Sequence, residues 1–369
     1  MEIDGTSQRL SNLPTAWTLG STCTGTGAFE LVSDAVCNAL NDALSDKTGT
    51  TFVHHEIACE IEKYKQGLLL NVLPGDCCLF SDVTQLKTDE ERTCVRHRNK
   101  CELPKKLFGF TSGFSCKSLS KLQNAQSLKK ALANRDQESS SFKTFAGNLD
   151  VLSLSSPLWV ILENVDLGSD EGADSNSAMV SEQLASVGYT TRLILLRADQ
   201  FGLPQRRKRL FIIGINNDRA MEELLDTPEQ MLHSVINTFL PAMKVENPPV
   251  DAFLLADDDP EVDAERDRRT QVAANREAKK HEVVPTILPS GTVRDVEKSR
   301  LHLGREQLAL QGIRYQKRVN LSNNQMQDLA CGRARPFSAA PPRPSDLLET
   351  AQRLPAGNYI AVCVALRLG

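Results

Sequence analysis

Apolar positions change their spacing in a regular order through the first 217 or so residues. From Ala16 to about Leu40 the pattern reads as strand, glycine-containing turn TCTGTGAFE, and helix ELVSDAVCNALNDAL with apolar residues every three or four positions. A second strand, FVHHEIACEIE, runs into a helix around Lys63–Val72, and a third, CCLFSDV, ends near Asp82. Residues 88–106 form a charged connector, followed by KLFGF and the small-residue loop TSGFSCKSLS. Residues 117–140 are polar, rich in Ser and Lys, and predict a loop. PLWVILENV is a continuous apolar run that ends abruptly, which suits a buried parallel strand. A helix around Asn176–Val187 and two strands, TTRLILLRA and RLFIIGIN, follow, the strands flanking DQFGLPQRRK. Strands and helices in alternation predict an α/β, doubly wound sheet.

The pattern breaks after Asn217. Residues 218–300 are highly charged, with an acidic run from Asp257 to Asp267, little β-alternation and few core anchors beyond VVPTIL. This stretch predicts a second, smaller domain or a long insertion, and residues 301–369 return to the first domain, which spans 1–217. The 369 residues suit two domains, and 40% hydrophobic residues suffice for a real core, which excludes a disordered chain. No apolar run reaches 18 residues, and MEIDGTSQRL has no apolar signal core, so no membrane span and an intracellular location are expected. In such a compartment the ten cysteines are read as thiols. None forms a C-x-x-C pair, so no structural zinc site and no metal is expected. The net charge of −4 excludes one large basic surface but not a basic cleft.

Four groups of residues carry candidate chemistry. The turn Cys23-Thr24-Gly25-Thr26-Gly27 lets backbone approach a ligand at a helix N-terminus. Glu60, followed by Ile61, stands at the second strand's end, where a carboxylate can accept two ribose hydroxyls; Asp82, followed by Val83, could accept an adenine amino group. Together they point to an adenosine-containing cofactor. Cys116 lies in an accessible loop beside Lys117, with Lys105, Lys106 and Lys121 near in sequence, and positive charge lowers a thiol pKa and favours a nucleophile. Glu163, at the mouth of a buried strand, is placed to share a proton, with Asn164 beside it. Gln205, Arg207 and Arg209 share one strand face and can brace a carboxylate or meet a base or phosphate.

These motifs, in this order, resemble the cytosine-C5 methyltransferase family. TCTGTGAFE resembles its cofactor loop, ACEIE and FSDV its ribose- and adenine-reading segments, and SGFSCKSLS its G-x-P-C-Q-x-x-S nucleophile loop, with Ser120 as the last serine. ENV is unchanged, FGLPQRRKRLFIIG carries Q-x-R-x-R, and HLGREQLALQGI resembles R-E-x-x-x-L-Q-G-F. The likeness covers residues 17–313 at least. It implies a Rossmann-like sheet with a small target-recognition domain at 218–300, S-adenosylmethionine as methyl donor, and DNA as partner, with base flipping. It further implies Cys116 as the group that adds to cytosine C6, Glu163 at N3 and the exocyclic amine, Arg207 against the base, and Gln205, Asn164 and Arg209 in support. A tRNA substrate and a catalytically inactive binding homologue are the alternatives. A monomer is expected, in the nucleus if the cell has one.

Three departures stand out. Ser115 replaces the loop proline and Lys117 the glutamine, and without proline the loop is expected to be less preorganised. Cys23 stands where an aromatic residue is usual. The family's closing Gly-Asn dipeptide is assigned to Gly357-Asn358, which makes Asn358 a cofactor-binding candidate. Lys129, Lys130, Arg294, Lys298 and Arg300 are candidate phosphate contacts.

Overall fold

The computed structural model describes residues 16–44, 52–88, 92–119, 132–167, 175–224, 227–263, 276–278, 283–287, 293–312, 326–327 and 330. Its centre is a seven-stranded sheet. The strands are β1 (Ala16–Thr22), β2 (Phe52–Cys59), β3 (Cys78–Phe80), β4 (Gly109–Ser112), β5 (Trp159–Asn164), β6 (Tyr189–Arg197), the two-residue β7 (Gln205–Arg206) and β8 (Lys208–Asn216). In space they run β3-β2-β1-β4-β5-β8-β6, β7 standing outside the sheet. All neighbours are parallel except β8, which runs antiparallel to both β5 and β6. The apolar runs VILEN and FIIGI pair across this antiparallel seam, from Trp159 opposite Ile215 to Asn164 opposite Leu210.

The helices are α1 (Ala28–Leu44), α2 (Lys63–Val72), α3 (Ser140–Ser155), α4 (Asn176–Ser186) and α5 (Pro228–Ser234). The strand order reverses between β1 and β4, and at such a switch point the strands' carboxyl ends open a crevice. One core holds Phe110, Phe114, Phe145, Val151, Leu152, Val160, Leu162, Val180 and Leu184. Another holds Ala58, Leu69, Leu73, Cys77 and Leu79. Chain beyond Asn217 also packs on the sheet, since Ala220 and Leu232 are buried with Ile213 and Ile215.

Helix α3 falls where the sequence pattern ends its polar loop, and no helix is expected there. Its serines and threonine hide apolar residues at Phe142, Phe145, Leu149 and Leu152, spaced three, four and three apart. Ser139 opens it as an N-cap, its hydroxyl accepting from the Phe142 amide. Gly147 allows α3 to lie close, because a Cβ there would sit 2.8 Å from the Val83 carbonyl oxygen. Asn148 is fully buried and pins the crevice floor: its amide donates to Ser112 Oγ at 2.9 Å and its carbonyl accepts from Thr22 Oγ1. Asn148→Ala leaves buried hydroxyls at two strand ends short of a partner. It is expected to lower unfolding stability by about 1–3 kcal/mol in a denaturant titration.

The charged region carries a small three-stranded sheet, β9 (Arg276–Ala278), β11 (Val293–Asp295) and β12 (Arg300–Leu301), in the order β12-β11-β9. Strand β10 (Val284–Pro285) pairs in parallel with β7, which joins this region to the Gln205 segment. Helix α6 (Gly304–Ala309) follows. Its Glu306 carboxylate is buried and takes both Arg300 Nη atoms at 2.7 and 2.8 Å and the amides of Leu255 and Leu303. Arg300 is therefore a core ion pair and not the phosphate contact expected of it. Lys298 is also engaged, 3.2 Å from Asp257. Arg294 donates to the Ser299 carbonyl at 3.5 Å. Lys129 and Lys130 lie outside the described residues.

Candidate active site

The turn after β1 is built on positive φ. Cys23 has φ 48°, Gly25 68° and Gly27 78°, a region L side chains rarely adopt. A Cβ on Gly25 would meet nothing within 4 Å, so the turn faces open space there. Its amide donates to Glu60 Oε2 at 2.7 Å, and the Glu62 amide donates to Glu60 Oε1 at 2.9 Å. Glu60 is buried yet held at the end of β2 by these two bonds. Ile61 beside it is 67% exposed, an apolar side chain standing uncovered next to the carboxylate. Asp82 caps a short helical turn, its Oδ1 accepting from the amide and hydroxyl of Thr84.

Two residues expected to bind cofactor face elsewhere. Thr24 is buried, its hydroxyl bonded to Ser21 Oγ at 2.8 Å and to the Cys59 carbonyl. Val83 is part of the main core. Either can offer only backbone to a ligand. Thr26 is half-buried on the turn. Asn358 and Ser120 lie outside the described residues.

The Cys116 loop leaves the end of β4 and docks on the start of α3. The Ser115 amide donates to Thr144 Oγ1 at 3.0 Å, and Ser115 Oγ lies 3.1 Å from Ser140 Oγ. The Ser118 amide donates to Ser141 Oγ, and Ser139 Oγ donates to Ser118 Oγ at 2.8 Å. Asn164 adds a tie from β5, its side-chain amide donating to the Phe114 carbonyl at 3.0 Å. The loop that has Ser115 in place of the proline is tied to α3 by a row of hydroxyls.

Glu163 is the penultimate residue of β5, buried, with Arg209 Nε 3.1 Å from its Oε1. The order along 205–209 is buried, exposed, buried, exposed, half-buried, as a shared face for Gln205, Arg207 and Arg209 requires. Gln205 Nε2 and Arg207 Nε are both buried without a hydrogen-bond partner among the described residues. Burial and the neighbouring Arg209 pull the Arg207 guanidinium below its ordinary value, against the opposing pull of Glu163 and Cys116. It keeps its charge at neutral pH.

The charge around Cys116 reverses the sequence expectation. Burial and then the Glu163 carboxylate raise its thiol pKa, and these outweigh Arg209 and Arg207, which lower it. Lys117, Lys105 and Lys106 are exposed, and none of them is among the leading causes of this shift. The cations that act on the thiol come from β8 and the segment before it, some ninety residues away in sequence. The resting thiol is therefore neutral at physiological pH.

Cys116, Glu163, Asn164, Arg207 and Arg209 thus meet at one end of the sheet, with Gly25 after β1 and Glu60 after β2 at the same end, one and two strands from β4. The model of the C-5 cytosine-specific DNA methylase family matches residues 53–330. The chain belongs to this family. The match takes in the Cys116 loop, Glu163 and the Gln205–Arg209 segment, while the turn at residues 22–27 lies before its start. A stretch of 106 residues is 30% identical to the type II methyltransferase M.DdeI of Desulfomicrobium norvegicum, covering 27% of this chain and 25% of that protein. A stretch of 161 residues is 27% identical to M1.HphI of Haemophilus parahaemolyticus, covering 44% and 40%. The aligned segments thus span less than half of these curated relatives. The fold is similar to that of a putative DNA modification methyltransferase from an E. coli prophage, at TM-score 0.55 and 13% identity over 94% of this chain and 98% of that one. It also resembles the Dnmt2 methyltransferase of S. pombe, at TM-score 0.51 and 13% identity over 95% and 98%. Among the described residues no helix is long and apolar enough to cross a membrane.

Proposed function

We propose that the protein transfers a methyl group from S-adenosylmethionine to C5 of cytosine in DNA. The observation that carries this reading is the convergence of Cys116, Glu163 and Arg207 on one crevice, within a chain of the cytosine methylase family. The turn at Gly25, the braced Glu60 and the uncovered Ile61 fit the adenosine and ribose of such a donor. Bound there, S-adenosylmethionine supplies the methyl group that C5 takes.

The remaining chemistry belongs to this chain. A cytosine displaced from its stack enters the crevice. The Cys116 thiol gives up its proton as Sγ bonds to C6, and the C5–C6 π electrons shift towards C5 and N3. The proton that N3 gains through Glu163 balances the one the thiol loses. Glu163 shares a proton at N3, which offsets the charge that develops there. Arg207 and Gln205, whose buried Nε and Nε2 have no hydrogen-bond partner among the described residues, meet the acceptors on the base edge. After methylation the C5 proton passes to water, and the electrons of that bond re-form the C5–C6 double bond. The S–C6 bond breaks, and the sulfur leaves as thiolate and takes up a proton again. Proton sharing between Glu163 and the base also removes the carboxylate charge that, after burial, raises the thiol pKa, so base binding shifts the balance towards the thiolate.

Methyl transfer from labelled donor to duplex DNA, hemimethylated DNA and unmodified tRNA tests the proposal. Label on DNA supports it, label on tRNA alone replaces the substrate, and no label with donor binding intact points to an inactive binding homologue. Glu60→Ala is expected to weaken donor binding about 10–100-fold by calorimetry, the scale of losing hydrogen bonds to a charged group.

A further inference from the structure

On the far edge of the sheet, away from the crevice, four side chains converge. Cys78 starts β3, and Cys94, His97 and Cys101 come from the connector that follows. Their ligand atoms all lie within 4.8 Å of one another. His97 Nδ1 is 3.3 Å from Cys101 Sγ, 3.5 Å from Cys94 Sγ and 3.6 Å from Cys78 Sγ. In a tetrahedral zinc site, bonds of about 2.3 Å to sulfur and 2.0–2.1 Å to nitrogen separate N and S ligands by roughly 3.5 Å. All three distances fall at that edge length.

The surroundings are those of a metal-binding hairpin. Thr93 and Lys100 bridge antiparallel, the Cys94 amide donates to the Asn99 carbonyl at 2.8 Å, and Arg98 turns the chain at φ 56°. The amides of Leu79 and His97 both donate to Cys94 Sγ, at 3.3 and 3.4 Å, the contacts that stabilise a thiolate. His97 Nε2 lies 3.2 Å from the Gly75 carbonyl. Donation to that oxygen puts the proton on Nε2 and leaves Nδ1 to ligate, the usual support behind a metal-bound histidine.

We propose that Cys78, Cys94, His97 and Cys101 bind one structural Zn²⁺. Three thiolates and an imidazole form a closed tetrahedral set that suits zinc and leaves no position for a substrate. The ion ties the 93–101 hairpin to β3, four residues before Asp82. Arg96 extends the clamp, donating to the carbonyls of Leu69, Leu70 and Leu73 at the end of α2. No C-x-x-C pair marks the site because histidine takes the second place, in C-x2-H-x3-C, and the fourth ligand comes from a strand upstream.

The test is elemental analysis of the full chain, expressed with zinc and dialysed into metal-free buffer. About one zinc per chain is expected; Cys94→Ser and His97→Ala should weaken retention at least about 10–100-fold. Cys77→Ala, which alters a neighbouring thiol outside the cluster, should keep the metal. Should the variants fail to fold, cobalt substitution of the wild type must show the visible bands of a tetrahedral thiolate-rich site. A wild type that binds neither zinc nor cobalt, zinc retained in both ligand variants, or a Cys78–Cys101 disulfide in the freshly purified protein overturns the proposal. None of these readouts depends on methyl transfer, so failure here leaves the functional reading untouched.

Discussion

Cys116→Ser is expected to lower methyl transfer by on the order of 10⁴-fold or more, the scale on which removing a covalent nucleophile runs. The melting temperature should stay close to wild type. Serine has nearly the shape of cysteine, and the ties that fix the loop run through Ser115, Ser118 and Asn164, none of which the substitution touches. What changes is the reacting atom. A hydroxyl ionises several units above a thiol and adds poorly to a ring carbon. Glu163 is committed to Arg209 and, on the proposed path, to the base. The measurement is label transfer to the preferred nucleic acid beside a thermal melt. A second readout separates chemistry from binding: a cytosine analogue with fluorine at C5 blocks proton loss and traps the wild-type thiol, and the variant should form no trapped complex. Wild-type transfer by Cys116→Ser would remove this residue from the chemistry.

The sheet was legible because its strands are apolar runs with sharp polar ends. VILEN and FIIGI admit few other readings, and the residues at their ends, Glu163, Asn164 and Arg209, are the ones that line the crevice. Helix α3 was not legible. Its serines read as loop, although the same hydroxyls of Ser139, Ser140, Ser141 and Thr144 position the Cys116 loop. The substitution of proline by Ser115 makes sense only with α3 in place. The electrostatics of Cys116 were misjudged for a related reason. Adjacent lysines dominate the sequence around it, but a side chain at the surface is screened, while Glu163 and the arginines act through the interior. Arg300 shows the same limit, since its partner Glu306 is identifiable only once β12 and α6 are packed together. The thiol and imidazole cluster was hidden by its spacing and by its dependence on β3.

Glu163→Gln is expected to separate two properties that a simple loss of function would lower together. Transfer should fall about 10²–10⁴-fold, the range for removing a group that shares a proton in the transition state. Reactivity of the Cys116 thiol should rise. The sign follows from the charges: the Glu163 carboxylate disfavours the neighbouring thiolate and, after burial, is the main cause of the raised thiol pKa. Neutral glutamine removes that repulsion and leaves Arg209 and Arg207 in place, so the thiolate gains population at a given pH. In the wild type, alkylation of Cys116 should have its half-maximal rate above the pH of a free thiol, about 8.5. In Glu163→Gln that midpoint should move down, and in Arg209→Met it should move up, because a cation that favours the thiolate is lost. Mass spectrometry of the Cys116 peptide after timed alkylation across pH gives all three midpoints without any need for turnover. If Glu163→Gln leaves the midpoint in place, the carboxylate does not control the thiol, and activation by base binding loses its basis. If the midpoint falls while transfer is also lost, Glu163 holds the nucleophile in check until its own charge is taken up by the base.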